Sequence, residues 1–476
     1  MCEKAQLVFP RHSLGRLANV DRIVHQPPLG LLCIASRARQ ECPRTQIEVL
    51  DGRFLSDDEL LRRLDAPLVG FSTWYSNYTN AISLARRLKE IRPETRIILG
   101  GPHATPIAER ILHNNPFVDY VLAGEGEEGF ACLVRGDPME SIPGIFFRDS
   151  TGTVLSSPNG RLGQQADLNA MPPLNLDLLR PDYSWQSEAR ESGMSGFPLA
   201  GIRGCHRSQR RCEYCSIFTK GWRHAAADKY WEHIARLHDE HGVDYFFETG
   251  DVFKPAFLRR LARIHPHPRI ALRIYSFPGF LKPSDMEYLK DVGVSDVFIG
   301  SESVLAWERT CNRSFGPGYT VDSLLAEFES YGKAGIRVLT SFVLGLPGET
   351  EDTLARNMGF IRQVHGLNAV KECTVSILLP LPGSEFFTWA VSHPTIRQGY
   401  KHLTGMDLQC TDVLDVPVLS QLFVETFTSV KYETIRGVTH ALVHELGSNV
   451  AQMDVASPQA IGPTHKPRLS PLGNLT

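Results

Sequence analysis

The sequence lacks the features that would tie the protein to a membrane or to nucleic acid. No apolar run approaches the roughly 20 residues that a membrane-spanning helix requires. The first residues, MCEKAQLVFPRH, contain neither the basic start nor the long apolar core of a secretion signal. The formal net charge is −3, so bulk electrostatics give little attraction to phosphate backbones. We therefore expect a cytoplasmic protein with neither a membrane nor a nucleic-acid partner.

Cysteines spaced as metal ligands are also rare in this sequence and occur at one place. Of the ten cysteines, seven are scattered, whereas Cys205, Cys212 and Cys215 lie within eleven residues. Three thiolates leave one corner of an iron–sulfur cube, or of a tetrahedral zinc site, open. A structural zinc completed by His206 or by a distant residue is the alternative. We do not expect a disulfide without a secretion signal, nor an auxiliary iron–sulfur site without a second cysteine cluster.

Two stretches of the chain alternate predicted strands with predicted helices. In residues 1–135, apolar runs at 6–9, 46–50, 68–72, 96–99 and 120–123 predict strands, with helical periodicity between them. This alternation predicts a doubly wound, Rossmann-like parallel sheet. In residues 197–389, six further strand–helix units with short connections predict a partial (β/α)6 barrel, open on one side. The predicted fold class is therefore α/β.

The remaining residues connect or flank these two stretches. Residues 136–196 form a predicted connector, with a hairpin at 145–147 and 154–156 and a proline-rich arm before the barrel. Residues 390–476 form a predicted helical region that packs on the open side of the barrel. The end of this region, from residue 457, is rich in proline and polar residues and is predicted to be disordered.

The loops that follow the predicted strands carry the candidate site residues. Ligands of open parallel sheets and of barrels bind at the carboxyl ends of the strands. In the first stretch these loops supply Ser72, Thr73, Trp74, Gly100, Gly101, Gly124 and Glu125. In the second stretch they supply Asp251, Ser301, Glu302 and Gly345. Arg273 and Tyr275, near the end of the third barrel strand, either face the mouth or pack in the core or at the rim, and packing is the favoured interpretation.

The cysteine loop and the strand ends together resemble a known family. The segment RGC…RCEYCSI resembles the cluster loop of radical SAM enzymes, and segments after four barrel strands resemble that family's SAM-binding motifs in the matching order. In the first stretch, LGGPHAT and GEGE, with PPLG at 27–30, resemble the cobalamin-binding domain that precedes many of these enzymes. This second resemblance covers nearly all of residues 1–135.

The resemblance implies three cofactors: a [4Fe–4S] cluster on the three cysteines, S-adenosylmethionine (SAM) chelated by its open iron, and cobalamin on the first domain. It implies that Tyr214 lies near the adenine and that Glu302, in the segment with Ser301, contacts polar groups of SAM. Asp251 matches the family's SAM-binding acid better than Glu248, although capping a helix is its competing role. The turn at Gly345 is the one that would let the adenosine approach.

Two departures from the family pattern bear on these roles. Six residues separate Cys205 from Cys212, where the family usually has three, giving C-x6-C-x2-C. The added residues include Arg207, Arg210 and Arg211, which we expect to influence substrate placement or SAM cleavage rather than cluster assembly. The D-x-H-x-x-G motif of other cobalamin proteins is absent, so we expect no histidine on cobalt and a turn-stabilising role for His103.

The resemblance also implies an activity. Enzymes of this family cleave SAM to methionine and a 5′-deoxyadenosyl radical, and members with cobalamin mostly transfer a methyl group from methylcobalamin to a substrate radical. We therefore expect an enzyme that methylates an unactivated carbon of a small molecule or natural-product precursor, served by an electron donor such as flavodoxin or ferredoxin. One alternative is the same architecture with a non-methylating rearrangement, cyclisation or atypical SAM cleavage. Another is a non-catalytic cobalamin or iron–sulfur carrier or sensor.

Overall fold

Two sheets of mainly parallel strands, each packed against helices, make up the described part of the computed structural model. That part comprises residues 2–12, 26–157, 165–179, 196–205, 207, 211–219, 221–305, 319–446 and 450–452. His206, Arg210 and the predicted disordered tail lie outside it. The α/β class predicted from the alternating strands and helices is confirmed.

The first sheet contains the five strands predicted for residues 1–135 and two more. Its strands are β1 (Lys4–Phe9), β2 (Gln46–Asp51), β3 (Leu68–Ser72), β4 (Arg96–Gly100), β5 (Tyr120–Leu122), β6 (Ile145–Arg148) and β7 (Val154–Ser156). Their order is β2–β1–β3–β4–β5–β6–β7, and β1 to β5 are parallel. The predicted hairpin therefore forms, and its antiparallel strands β6 and β7 extend this sheet.

Helices cover both faces of the first sheet. They are α1 (Leu29–Glu41), α2 (Asp57–Arg63), α3 (Tyr78–Ile91), α4 (Ala108–Asn114) and α5 (Glu127–Arg135). Along β1, Leu7 belongs to one buried cluster and Val8 to another, so this strand is covered on both sides. That double burial explains the continuous apolar runs in the sequence. The strand order reverses between β1 and β3, which places a crevice at the carboxyl edge of the sheet.

The second sheet is the predicted barrel, with one additional strand. Its strands are β8 (Phe197–Leu199), β11 (Tyr245–Glu248), β12 (Ala271–Ser276), β13 (Val294–Glu302), β14 (Arg337–Leu344), β15 (Val370–Ile377) and β16 (Val450–Gln452). They follow one another in chain order and are all parallel. The strand β16 lies in the region predicted to be helical. Its three residues are too few to show a strand pattern, so the sequence does not predict it.

The chain leaves the barrel sheet after β8 and forms a short hairpin. The apolar run at 197–202, from which we predict one continuous first barrel strand, does not form one: Ile202–Arg203 forms a separate strand, β9, which pairs antiparallel with β10 (Arg223–His224). The break lies at Gly201, where a Cβ would lie 2.3 Å from the ring of Tyr230. The β9–β10 pair joins the two ends of the cysteine loop.

Helices surround the barrel and continue into the C-terminal region. The barrel helices are α6 (Ala227–His241), α7 (Pro255–Leu261), α8 (Met286–Asp291), α9 (Val321–Lys333) and α10 (Glu351–His365). The C-terminal helices are α11 (Glu385–Ser392), α12 (Pro394–Thr404), α13 (Val416–Phe427) and α14 (Tyr432–Leu446). Within the described residues, no helix combines the length and the apolarity needed to cross a lipid bilayer.

The C-terminal region contacts both sheets' domains. In α13, the hydroxyl of Ser420 donates to the carbonyl of Leu378 at 2.6 Å, just after β15. Before α13, the carboxylate of Asp412 accepts hydrogen bonds from the side-chain amides of Asn114 and Asn115, both at 2.7 Å. The buried hydroxyl of Tyr78 donates to the same carboxylate. Asp412 therefore holds the C-terminal region against the first domain.

Candidate cofactor site

The cysteine loop is held in shape by its ends. Gly204 has a φ of 78°, and a Cβ there would lie 2.0 Å from the carbonyl oxygen of Gly221, so only glycine allows this approach. Within the loop, the backbone N–H of Cys215 donates to the carbonyl of Cys212 at 2.9 Å. These contacts fix the ends of the loop and the turn between Cys212 and Cys215.

The three cysteines are partly buried free thiols. Burial raises the pKa of Cys205 and raises the pKa of Cys215 to about 12, so both stay protonated until a metal displaces the proton. The backbone N–H of Arg207 lies 3.4 Å from the sulfur of Cys205 and donates to it. Cys212 and Cys205 lie close enough to Cys215 to add to the rise in the pKa of that thiol.

The three thiols supply ligands for a metal centre without showing which centre it is. Among the described residues, the ligand atoms that lie within 4.8 Å of one another belong to His265, His267 and Asp291. Three free thiols can serve three corners of an iron–sulfur cube or of a tetrahedral zinc site.

Two acidic residues lie at and just after the end of β11, and the second of them lies near the thiols. Glu248 is 1% exposed, and its carboxyl accepts the N–H groups of Ile202 at 3.2 Å and Gly250 at 3.0 Å. Asp251 lies close enough to Cys205 to raise the pKa of that thiol. Burial raises the pKa of Asp251 to about 6, while Arg211 opposes that shift. Asp251 is therefore the acid next to the open side of the cysteine loop.

Glu302 is turned toward the cysteine loop by an irregular strand end. It has a φ of 58° and follows a register shift between β13 and β14. Its side chain folds back over Gly300, where a Cβ would lie 2.2 Å from Oε1. The carboxyl interacts with Tyr214, and burial raises the pKa of Glu302 to about 7. The structure thus brings Tyr214 and Glu302 together at the mouth of the barrel.

Ser301 supports this strand end from the opposite side. It is fully buried, and its hydroxyl lies 2.6 Å from that of Thr340. Thr340 in turn donates to the carbonyl of Ile299 at 2.6 Å. The Ser301 hydroxyl is thus engaged beneath the strand, which leaves the backbone of the segment for any contact with SAM.

The turn at Gly345 is built around a buried acid that the sequence analysis did not single out. Gly345 has a φ of 85°, and its N–H donates to the carboxyl of Glu349. Glu349 is 1% exposed and also accepts the side-chain amide of Asn357 at 2.6 Å. A Cβ on Gly345 would lie 2.9 Å from Val424 in α13, so the glycine also allows this helix to pack closely.

The carboxyl edge of the first sheet combines a tight turn with an exposed aromatic ring. The N–H and the hydroxyl of Thr73 donate to the carbonyl of Gly100 at 2.7 and 2.8 Å. Gly101 has a φ of 103°, and a Cβ there would lie 2.7 Å from the carbonyl oxygen of Thr73. Trp74 is 46% exposed next to partly buried Ser72. This edge offers a flat apolar surface and closely approachable backbone, which suit a corrin ring.

The loop after β5 reaches the cysteine loop. Gly124 has a φ of 84°, and the carboxylate of Glu125 pairs with Arg203 at 3.0 Å and with Arg223. Glu127 pairs with Arg203 at 2.5 Å. The Glu125 carboxylate is therefore paired with arginines of β9 and β10. Any contact of this loop with cobalamin would then be made by its backbone. These ion pairs have no local sequence signal, because their partners are 76 to 98 residues apart.

His103 is buried beside this edge, where its backbone N–H donates to the carbonyl of Thr73 at 3.1 Å. Its Nε2 lies 3.2 Å from the carbonyl oxygen of Asp412, and its ring lies 4.3 Å from that of Tyr78. Burial lowers the pKa of His103 to about 4, so the ring is neutral. The histidine joins the first domain to the C-terminal region.

Two family models match the chain, one on each sheet. The B12 binding domain matches residues 17–134, and the radical SAM superfamily matches residues 201–361. The cysteine loop lies at the start of the second match, and the strand-end loops of β3, β4 and β5 lie in the first.

Two individual proteins resemble the chain, one over about three-quarters of its length and the other over about half. It is 25% identical over 385 residues to the uncharacterized methyltransferase PH0819 of Pyrococcus horikoshii, covering 77% of this chain and 79% of that protein. It is 28% identical over 233 residues to the anaerobic magnesium-protoporphyrin IX monomethyl ester cyclase of Synechocystis sp., covering 46% of this chain and 44% of that protein.

Among solved structures, the radical SAM methyltransferase TsrM of Kitasatospora setae, with cobalamin and a [4Fe–4S] cluster bound, has the same fold. The TM-score is 0.67 at 17% identity, covering 94% of this chain and 93% of that chain. The two family matches and the shared fold agree with the geometry of the cysteine loop and the two strand edges. The chain is a radical SAM enzyme with a B12 binding domain, homologous to cobalamin-dependent radical SAM methyltransferases, and its cofactors are a [4Fe–4S] cluster, SAM and cobalamin.

Proposed function

We propose that the enzyme methylates an unactivated carbon of a small organic substrate held between its two domains. One observation carries the proposal: Arg203, two residues before Cys205, pairs with Glu125 in the loop after β5 at 3.0 Å. On another side of the interface, a Cβ on Gly383, after β15, would lie 3.5 Å from Pro106, after β4. Loops from the carboxyl ends of both sheets therefore meet, as methyl transfer between the two cofactors requires.

The cysteine loop and its neighbours form the SAM-binding half of the proposed site. Cys205, Cys212 and Cys215 hold the cluster, which supplies the electron that cleaves SAM when both are bound. Asp251 and Glu302 offer carboxylates to the cationic groups of SAM, and the backbone around Ser301 and the turn at Gly345 border the same mouth. Tyr214 lies against Glu302, and this position supports a contact of its ring with the adenine.

The edge of the first sheet forms the proposed cobalamin-binding half. The backbone around Gly100, Gly101 and Gly124 can approach the corrin closely, and Ser72 and Thr73 border it. Trp74 presents its exposed ring at this edge, so it packs against the face of the corrin and excludes water there. His103 is engaged by Asp412, which supports a cobalt without a histidine ligand.

The partners of the proposed reaction follow from its chemistry. Reduction of the cluster needs a small electron donor, and we propose a flavodoxin or a ferredoxin. The substrate is a small molecule, since it must fit within the barrel mouth beneath the interface of the two domains. TsrM, which shares the fold, has tryptophan as its substrate.

A second candidate reaction keeps the architecture and omits the methyl transfer. The chain is 28% identical over 233 residues to a protein named as a cyclase, so radical cyclisation is the alternative that the relatives favour. The two reactions differ in what becomes of SAM, because only methyl transfer converts SAM to S-adenosylhomocysteine.

The products of SAM distinguish these candidates without knowledge of the substrate. The anaerobically reconstituted enzyme is reduced with SAM, once with and once without cobalamin, and nucleoside products are quantified. We expect S-adenosylhomocysteine only with cobalamin, and 5′-deoxyadenosine in both samples. Formation of 5′-deoxyadenosine with no S-adenosylhomocysteine in either sample would support the non-methylating candidate. Methylthioadenosine would instead indicate that a different bond of SAM breaks.

A further inference from the structure

A wall of aromatic side chains lines the interior of the barrel below the candidate site. Along β12, Leu272 and Ile274 are fully buried in the core beneath the helices, so the alternate residues Arg273 and Tyr275 point into the barrel. The ring of Tyr275 lies 5.3 Å from that of Phe247 on β11 and 5.0 Å from that of Phe298 on β13. Three adjacent strands thus contribute one continuous aromatic wall.

The guanidinium of Arg273 lies against this wall and has no anionic partner among the described residues. It is 4.6 Å from the ring centroid of Phe247 and 5.8 Å from that of Phe298. Its Nε is buried and has no hydrogen-bond partner in the described part of the chain. Arginine stays charged in proteins, so burial cannot be relieved by loss of a proton. A buried donor without a partner is costly, so its presence here points to a ligand that satisfies it.

The nearest acid on the floor of the barrel is already engaged. The carboxylate of Asp296 accepts hydrogen bonds from Arg337 at 2.6 Å, from Ser295 at 2.6 Å and from Tyr245 at 3.2 Å. Arg337 and Asp296 form an ion pair, whereas Arg273 forms none with a carboxylate of the described residues. The buried Asp296 is therefore neutralised by the exposed Arg337, and Arg273 remains available.

The available arginine faces the space beneath the cofactors. Arg273 lies three residues before the end of β12, which places it about 10 Å below the rim of the barrel. The hydroxyl of Tyr275 lies within electrostatic range of both Arg273 and Asp251. A molecule that reaches from Arg273 to the level of Asp251 therefore spans the distance from the aromatic wall to the SAM-binding mouth.

We propose that Arg273 binds an oxyanion of the substrate, a carboxylate or a phosphate, while Phe247, Tyr275 and Phe298 pack against an apolar or aromatic body. The planar fork of arginine matches both oxyanions with two parallel hydrogen bonds. The substrate then enters with its anionic end first, and the carbon to be modified faces the cofactors. This orientation rests on the proposed function, whereas the binding of an oxyanion does not.

Ligand-observed fluorine NMR tests the binding directly. The full-length enzyme, with oxidised diamagnetic cluster, cobalamin and SAM, is titrated with 4-fluorophenylacetate, 4-fluorophenyl phosphate and the neutral 4-fluorophenylacetamide. We expect at least one oxyanion to bind about tenfold more tightly than the amide, with the preference lost in Arg273→Gln and partly kept in Arg273→Lys. The tighter of the two oxyanions identifies the group. Equal binding of acids and amide, an unchanged preference in Arg273→Gln, or no binding of either oxyanion would overturn the proposal.

Thermal unfolding separates a binding role from a structural one. Because no carboxylate of the described residues pairs with Arg273, we expect Arg273→Met, in the absence of the fluorinated ligands, to melt at or above the temperature of the wild type. The matched control is Arg337→Met, which leaves Asp296 buried without its cation and should melt lower. A loss in Arg273→Met equal to that in Arg337→Met would assign Arg273 to the fold. Neither assay needs turnover, so the two proposals can fail separately. Oxyanion binding by an enzyme that transfers no methyl group would reject only the proposed function. Methyl transfer by an enzyme that shows no preference for oxyanions would reject only this inference.

Discussion

The pH dependence of SAM binding tests the assignment of Glu302 to the SAM site. Burial raises the pKa of Glu302 to about 7 in the protein without ligand. SAM carries positive charge, so it binds the ionised carboxylate and lowers the pKa in the complex. At a pH below the pKa of Glu302 in the free protein, the carboxyl must lose its proton before SAM binds. The affinity should therefore fall as the pH falls from 8 to 6 and level off above 8.

The magnitude follows from the fraction of Glu302 that is ionised. With a pKa of about 7, roughly nine-tenths of the carboxyl is ionised at pH 8 and roughly one-tenth at pH 6. The dissociation constant of SAM should rise about tenfold across this window, which is about 1.4 kcal/mol. Glu302→Gln should weaken SAM binding at pH 8 by about 1.5–3 kcal/mol and remove this part of the pH dependence.

Titration of SAM into the cluster-loaded enzyme by isothermal calorimetry at pH 6, 7 and 8 measures both effects. The matched control is Glu349→Gln. Burial also raises the pKa of Glu349 to about 7, but its carboxyl binds Gly345 and Asn357 within the next turn. This control should keep the pH dependence of the wild type. A wild-type affinity that does not change between pH 6 and 8, or a tenfold change that survives in full in Glu302→Gln, would refute the reasoning.

Three further predictions follow from the same geometry. Replacing Cys205, Cys212 and Cys215 together with alanine should remove iron and sulfide after anaerobic reconstitution, while zinc in the reconstituted wild type would contradict the cluster. Arg207→Ala and Arg211→Ala should keep the absorption spectrum of the cluster and change the turnover or the SAM products, and normal turnover in both would make the added loop residues a spacer. Burial raises the pKa of Glu248 to about 8, above its unfolded value, so its ionisation destabilises the fold as the pH rises. The free energy of unfolding should fall by about 2–3 kcal/mol from pH 6 to 8 in the wild type, and by less in Glu248→Gln. Urea denaturation curves that are equal for the two proteins at both pH values would exclude this role of Glu248.

Much of the fold could be predicted because its signals are local. Strands such as β3 are continuous apolar runs, and the short connections between strands and helices fix the parallel order. The break between β8 and β9 could not be predicted, because it depends on the ring of Tyr230 packing against Gly201 from a later helix. The strand β16 is defined by its pairing with Cys373–Val375 rather than by its own pattern.

The same division applies to the candidate site. Cys205, Cys212 and Cys215 could be found because three thiols so close in the sequence are by themselves a strong signal of metal ligation. The direction of Glu302 depends on the register shift after Gly300, which arises from pairing with β14 and leaves no mark in the sequence. The pairing of Arg203 with Glu125 joins residues 78 positions apart, so it emerges only once both domains are folded.

Transfer of an isotopic label from SAM tests the central claim most directly. The reduced enzyme, with cobalamin, is incubated with SAM carrying a trideuterated methyl group and with small-molecule extracts, and the products are examined by mass spectrometry. The account predicts a carbon-bound trideuteromethyl group in a product that forms only with cobalamin and intact Cys205, Cys212 and Cys215. A product that forms under these conditions without the label, or a labelled product that forms equally without cobalamin, would contradict it.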